Sequence, residues 1–250
     1  MAQLMRTSNP ALNEKIFQGQ HVALDEAMTL NGTINKTGIL LLCTIATAAW
    51  TWHGFMQTHS AVSVLPFLWI GLLGGLIFAL ITTFKKTWAP VTAPVYALLE
   101  GLALGGISAV FELRFPGIAM QSVGLTFGTM FVLLFAYRSG LIPVTQKFRL
   151  GIVAATGAIM LFYVGELLLG FLGVRFASIN GSGIVGIGFS VVIVVVAALN
   201  LVLDFDFIES GVRARAPKYM EWYSAFGLMV TLIWLYLEIL RLLSKVRSRN

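Results

Sequence analysis

The sequence predicts an all-α, polytopic membrane protein with seven transmembrane helices. Three observations carry this. Hydrophobic residues make up 58 % of the 250 residues and charged residues only 11 %, whereas a soluble domain is about a quarter charged. Seven stretches approach the ~20 apolar residues needed to cross a bilayer. The cations gather between those stretches, where membrane proteins keep them.

Residues 1–37 are polar and mixed, and read as a solvated amino-terminal arm in which Asp25, Glu26 and Met28 could lie on a short surface helix. No apolar run begins before residue 38, so no cleavable signal peptide is expected. The predicted spans are Gly38–Met56, Val64–Phe84, Ala89–Phe111, Ile118–Tyr137, Leu150–Leu172, Gly183–Leu203 and Tyr219–Leu240. In lipid each must satisfy its backbone internally, which a helix does; the alternation of an outer-membrane strand is absent. The loops are too short for an inserted soluble domain. The chain therefore divides into the arm (1–37), one transmembrane domain (38–243) and a basic tail (244–250).

Lysine and arginine outnumber aspartate and glutamate by 17 to 11, a net charge of +6. On one side lie Arg6, Lys15 and Lys36, then Lys85 and Lys86, then Arg138, Lys147 and Arg149, then Arg213, Arg215 and Lys218. The other side has only Arg114 and Arg175 in its loops. The positive-inside rule then puts the amino terminus in the cytoplasm. Seven spans put the carboxyl terminus outside, against its Arg241, Lys245, Arg247 and Arg249, and the loops carry more weight. Gly71 with Gly75, and Gly101 with Gly105, have the spacing that lets helix backbones approach closely.

Ionisable groups at bilayer depth are costly and need a partner, a cavity or a proton. The candidates are all acids: Glu100 in the third span, Glu166 in the fifth, Asp204 and Asp206 ending the sixth, and Glu238 in the seventh. No lysine or arginine lies near the middle of a span. Asn200 and Asp204 are four apart and share a helix face. Asp206 and Glu209 read as interfacial acids. Glu238 precedes Arg241 by three, so an ordinary i,i+3 ion pair competes with a functional role. Glu100 could be a buried packing partner or line a cavity. Glu166 follows Tyr163, whose hydroxyl could satisfy it. Two carboxylates brought together would titrate as a unit and, when charged, attract calcium through oxygen ligands.

Enzyme chemistry finds no support. His21, His53 and His59 lie in the arm or at the outer end of the first span, far from any intramembrane serine. A second intramembrane aspartate in its own motif, a mid-span lysine for a Schiff base, metal-ligand spacing around the single Cys43 and phosphate-cradling glycine motifs are all missing. No enzyme activity and no cofactor are expected, and no nucleic-acid partner.

The run Ala197-Ala-Leu-Asn-Leu-Val-Leu-Asp-Phe-Asp-Phe-Ile-Glu209, the stretch Pro217-Lys-Tyr-Met-Glu-Trp-Tyr-Ser-Ala-Phe-Gly227 and the close Leu235-Tyr-Leu-Glu-Ile-Leu-Arg-Leu-Leu243 resemble the carboxyl-terminal half of the Bax inhibitor family, the transmembrane BAX inhibitor motif proteins. Ser8-Asn-Pro10 and Met28-Thr-Leu-Asn-Gly-Thr33 fit its bacterial branch. The resemblance implies a fold with the last helix central and six helices around it. It also implies a pH-sensitive calcium leak gated by a carboxylate pair on the last two helices. Asp204 matches the first acid. Matching Leu-Tyr-Leu-acid puts Glu238 at the second, whereas an ungapped count from Tyr223 puts Trp234 there; Glu238 is the reading adopted. The family's arginine near the end of the second span has no counterpart, since Thr82, Thr83, Lys85 and Lys86 stand there.

The expectation is a calcium-permeable, proton-regulated leak with Asp204 and Glu238 as gate and Glu100, Asn200 and Glu166 along the cation path, in a bacterial inner membrane. The alternative is a non-transporting membrane protein that regulates a membrane protease or another membrane partner. A proton-coupled transporter is a weaker third reading, since no inverted repeat is evident.

Overall fold

The computed structural model describes residues 27–58, 60–173, 179 and 181–249. Most of the arm, with Arg6, Lys15, His21, Asp25, Glu26 and the Ser8-Asn-Pro10 motif, and also His59 and Arg175, lie outside the described residues.

Among the described residues the chain forms seven long α-helices: α1 (Leu30–Thr58), α2 (Ala61–Phe84), α3 (Ala89–Arg114), α4 (Ile118–Arg138), α5 (Gln146–Phe171), α6 (Ile184–Arg213) and α7 (Met220–Arg247). All seven are long and apolar enough to cross a membrane. The shortest, α4 with 21 residues, rises about 31 Å, the thickness of a hydrocarbon core. Large apolar side chains are left exposed along the helices, as Leu72, Leu73, Leu76 and Ile77 are on α2 and Leu161, Leu167 and Leu168 on α5. Such faces suit lipid and not water.

Local chemistry sets the boundaries. Ser60 caps α2 by accepting from the Val62 amide, and Thr145 caps α5 by accepting from the Phe148 amide at 3.2 Å, each satisfying an otherwise orphaned donor. Pro90 sits in the first turn of α3, where its missing N–H costs nothing. Glu112 closes the α3–α4 turn, accepting from the amides of Gly117 and Ala119. Gly117 there has φ +83°, a conformation glycine adopts without a Cβ clash.

Three helices extend well beyond the predicted spans, α6 among them, running to Arg213 and not to Leu203. α1 begins at Leu30 and not near Gly38, because Thr33 and Thr37 are buried and Lys36 is held by Glu221. α7 runs to Arg247 and not to about Leu240, because Arg241 and Lys245 both find partners within the chain.

The helices fall into two compact units. The first holds α1, α2, α3 and residues 206–230, which are the end of α6, its connection and the start of α7. Glycine brings its helices together: a Cβ on Gly71 would lie 2.5 Å from the Leu99 carbonyl oxygen of α3, and one on Gly105 would lie 2.5 Å from the Ala48 carbonyl oxygen of α1. Phe55, Val64 and Ala109 form a small core under Trp52, and Tyr96 meets Phe226 edge-on with centroids 5.0 Å apart. Glu221, fully buried, collects the Thr29 amide and hydroxyl (both 2.9 Å), Lys36 (2.5 Å) and Lys218 (3.3 Å). Beside it the Met28 amide donates to the Ala216 carbonyl at 2.6 Å, so the stretch before α1 is strapped to the α6–α7 connection.

The second unit holds α4 from Met120, α5, α6 to Phe205 and α7 from Thr231. Its core is Ile159, Ile193 and Val196, with Ala155, Tyr163, Phe189 and Trp234 packed on it. Among the described residues α7 has the most buried apolar stretch, 61 % against 50 % for α3 and 11 % for α5.

Two residues are placed otherwise than expected. Asp206, read as interfacial, is buried, as is Arg149, read as a loop residue and found in the first turn of α5. Glu209 keeps its expected setting, exposed and paired with Arg213 at 3.2 Å.

Candidate functional site

The second unit carries two polar stations on α5, α6 and α7, with an apolar layer between them. Their order follows from helical register, since residues three or four apart stack on one face.

The first station holds Asp204. Only 3 % of this residue is exposed. The Thr231 hydroxyl of α7 donates to its carboxylate, while Oδ2 is buried with no hydrogen-bond partner. One turn back on α6, the Asn200 amide nitrogen donates to Thr156 Oγ1 of α5 at 2.8 Å and to the Val196 carbonyl at 2.8 Å. Thus three helices contribute oxygen-bearing side chains at one level, and among the described residues no cation pairs with Asp204.

The apolar layer follows at the next turn of each helix: Ile159 on α5, Ile193 and Val196 on α6, and Trp234 on α7.

The second station holds Glu238, 2 % exposed. The Tyr163 hydroxyl donates to its Oε1 at 2.7 Å. The Arg241 guanidinium approaches both carboxylate oxygens at 3.4 Å, donates to the Tyr163 oxygen at 2.6 Å and lies 5.2 Å from the centre of that ring. Guanidinium, phenol and carboxylate thus form a closed triangle. One turn further on, Lys245 is buried and donates to Ser190 Oγ and two backbone carbonyls, with Glu166 and Glu238 within electrostatic reach. Arg247 donates to Gln121 of α4 at 2.8 Å.

These placements revise the expected pair. Thr231, which marks the level of Asp204 on α7, lies about two turns before Glu238, roughly 10 Å along the axis. Asp204 has Thr231 and Glu238 has Tyr163 with Arg241, so the two acids are not joined as a dyad. Trp234, the other position considered for the second acid, is part of the apolar layer. Tyr163, expected beside Glu166, donates to Glu238 instead. Glu166 is near Lys245. Glu100 belongs to the first unit, where its carboxylate lies against Gly75 of α2: a Cβ there would be 2.7 Å from Oε1. It has no hydrogen bond or ion pair among the described residues. No cluster of three or more histidine, cysteine, aspartate or glutamate side chains suited to a metal occurs among them either.

Sequence reasoning missed Thr231, Thr156 and Lys245 as partners, and gave Tyr163 the wrong acid. A signal existed for Tyr163, whose hydroxyl needs a partner when buried; the others were indistinguishable from ordinary span or tail residues.

Seven helices long and apolar enough to cross a membrane, with acids, hydroxyls and an amide buried among α5, α6 and α7, define an integral membrane protein. A family model described as Bax inhibitor 1 like matches residues 9–248, and the chain belongs to that family. No curated protein matches the chain, and no solved structure does.

Proposed function

We propose that this protein is a pH-sensitive, calcium-permeable leak, with Asp204 as the carboxylate through which protons act. The observation that carries the reading is the setting of Asp204: enclosed, held by one hydroxyl, with Oδ2 lacking any donor. Such a group exchanges between a proton and a cation. Calcium requires several oxygen ligands, and the carboxylate, the Asn200 side-chain oxygen and the Thr231 hydroxyl are of that type. The layer of Ile159, Ile193, Val196 and Trp234 supports a closed state, since an apolar constriction excludes ions until it is wetted. The Arg241–Tyr163 clamp on Glu238 gives the second acid a latching role in place of membership in a dyad. Glu166 stays on the cation path in this reading.

The amino terminus is cytoplasmic in this reading, in a bacterial inner membrane. Support comes from the basic loops and from the tail, where Arg241, Lys245 and Arg247 bond within the chain and so are not free loop charges. No catalytic step and no cofactor enter the reading.

Calcium flux into liposomes tests it. Wild type should conduct with a pH-dependent rate, and Asp204→Asn should lose that pH dependence. Unchanged flux and pH response in Asp204→Asn would remove Asp204 from the mechanism. Absence of flux by wild type, with a stoichiometric partner recovered from native membranes, would favour the non-transporting regulator.

A further inference from the structure

Lys245 is a buried cation to which the leak reading gives no part in conduction or gating. Its ammonium donates to the Ile179 carbonyl at 2.8 Å, to the Gly186 carbonyl at 3.1 Å and to Ser190 Oγ at 2.9 Å. Only 7 % of the residue is exposed. All three acceptors are neutral; among the described residues no carboxylate is within ion-pair distance of it. Glu166 and Glu238 act on it from farther off, and Arg241 opposes them.

The acceptors converge because glycine permits it. A Cβ at residue 186 would lie 2.8 Å from the Ile179 carbonyl oxygen and would collide with that of Gly181. The chain entering α6 therefore folds its carbonyls back over the first turn of the helix. Neutral oxygens gathered around one positive charge are how proteins replace the hydration shell of a monovalent cation. The distances of 2.8–3.1 Å suit an ammonium or an alkali ion of similar radius. Calcium, which takes oxygens at about 2.3–2.6 Å and favours carboxylates, does not match.

We propose that this end of the second unit is a monovalent-cation site of neutral oxygens, and that the chain fills it with its own Lys245 ammonium. The lysine is a tethered ion. It pins the turn before α6 to α7 and bars a mobile cation from the oxygens beside Glu166 and Glu238. The site stands whether or not the protein conducts calcium.

Chemical rescue tests it. Lys245→Met keeps the apolar stem and vacates the oxygens. Purified in detergent and unfolded thermally with tryptophan fluorescence as the probe, it should be less stable than wild type in choline chloride. Potassium, rubidium or ammonium chloride should raise its Tm saturably by roughly 2–6 °C, with lithium less effective. Wild type should not respond, and Ser190→Ala added to Lys245→Met should weaken the response. Should Lys245→Met not fold, Lys245→Gln, whose shorter side chain has two donors for the three acceptors, should show the same ion order with a smaller shift. An equal Tm in choline and potassium for the vacated variant, or an equal potassium shift in wild type, overturns the proposal.

Discussion

Replacing Arg241 with methionine removes the guanidinium and keeps an apolar stem over the Tyr163 ring. The carboxylate it leaves is 3 % exposed, whereas the Arg241 side chain is 46 % exposed. At the observed 3.4 Å, attraction in an effective dielectric of 20 amounts to about 5 kcal/mol before desolvation. Breaking a fully buried pair costs about 3–5 kcal/mol, and a surface pair contributes about 1 kcal/mol or less. A buried acid facing a half-exposed cation falls between, near ~2 kcal/mol. For a chain of this length that is a Tm loss of roughly 4–8 °C. The assay is thermal unfolding of purified protein in detergent, run as a double-mutant cycle with Glu238→Gln. Because the single Arg241→Met change strands a buried charge, the double variant should recover about half or more of the loss. An Arg241→Met protein as stable as wild type, or strictly additive losses, would refute the clamp.

Two further outcomes follow from the same geometry. Val196→Asn puts an amide into the apolar layer beside Ile159, Ile193 and Trp234 and should raise basal ion flux in liposomes, because wetting such a layer opens it; unchanged flux would place the barrier elsewhere. Glu221→Gln takes the carboxylate from Lys36, whose side chain is 20 % exposed, and should cost about 2 kcal/mol. It should also speed hydrogen exchange at the Met28 amide, now bonded to Ala216; unchanged exchange there would show that Glu221 does not hold the strap.

The Arg241–Glu238 contact illustrates what was readable along the chain. Three residues apart on one helix, the two must lie on one face, and the ion pair was open to view as an alternative to a gate. The Gly71 and Gly105 contacts were readable for the same reason, as were the spans themselves: composition, length and helical period are properties of a continuous stretch. The start of α1 was not. Thr33, Lys36 and Thr37 read as a solvated arm, and their place inside depends on Glu221, nearly two hundred residues away. Lys245 read as one more tail cation, since nothing local marks three oxygens waiting for it.

Sequence alone therefore determined that this is a seven-helix membrane protein of the Bax inhibitor kind with acids in its interior, because hydropathy and helical spacing act over neighbouring residues. Tertiary structure decided which acid meets which partner: Asp204 with Thr231, Glu238 with Tyr163 and Arg241, and a layer of Ile159, Ile193, Val196 and Trp234 between them. Those choices depend on how α5, α6 and α7 are rotated and shifted against each other, and packing between helices sets that geometry.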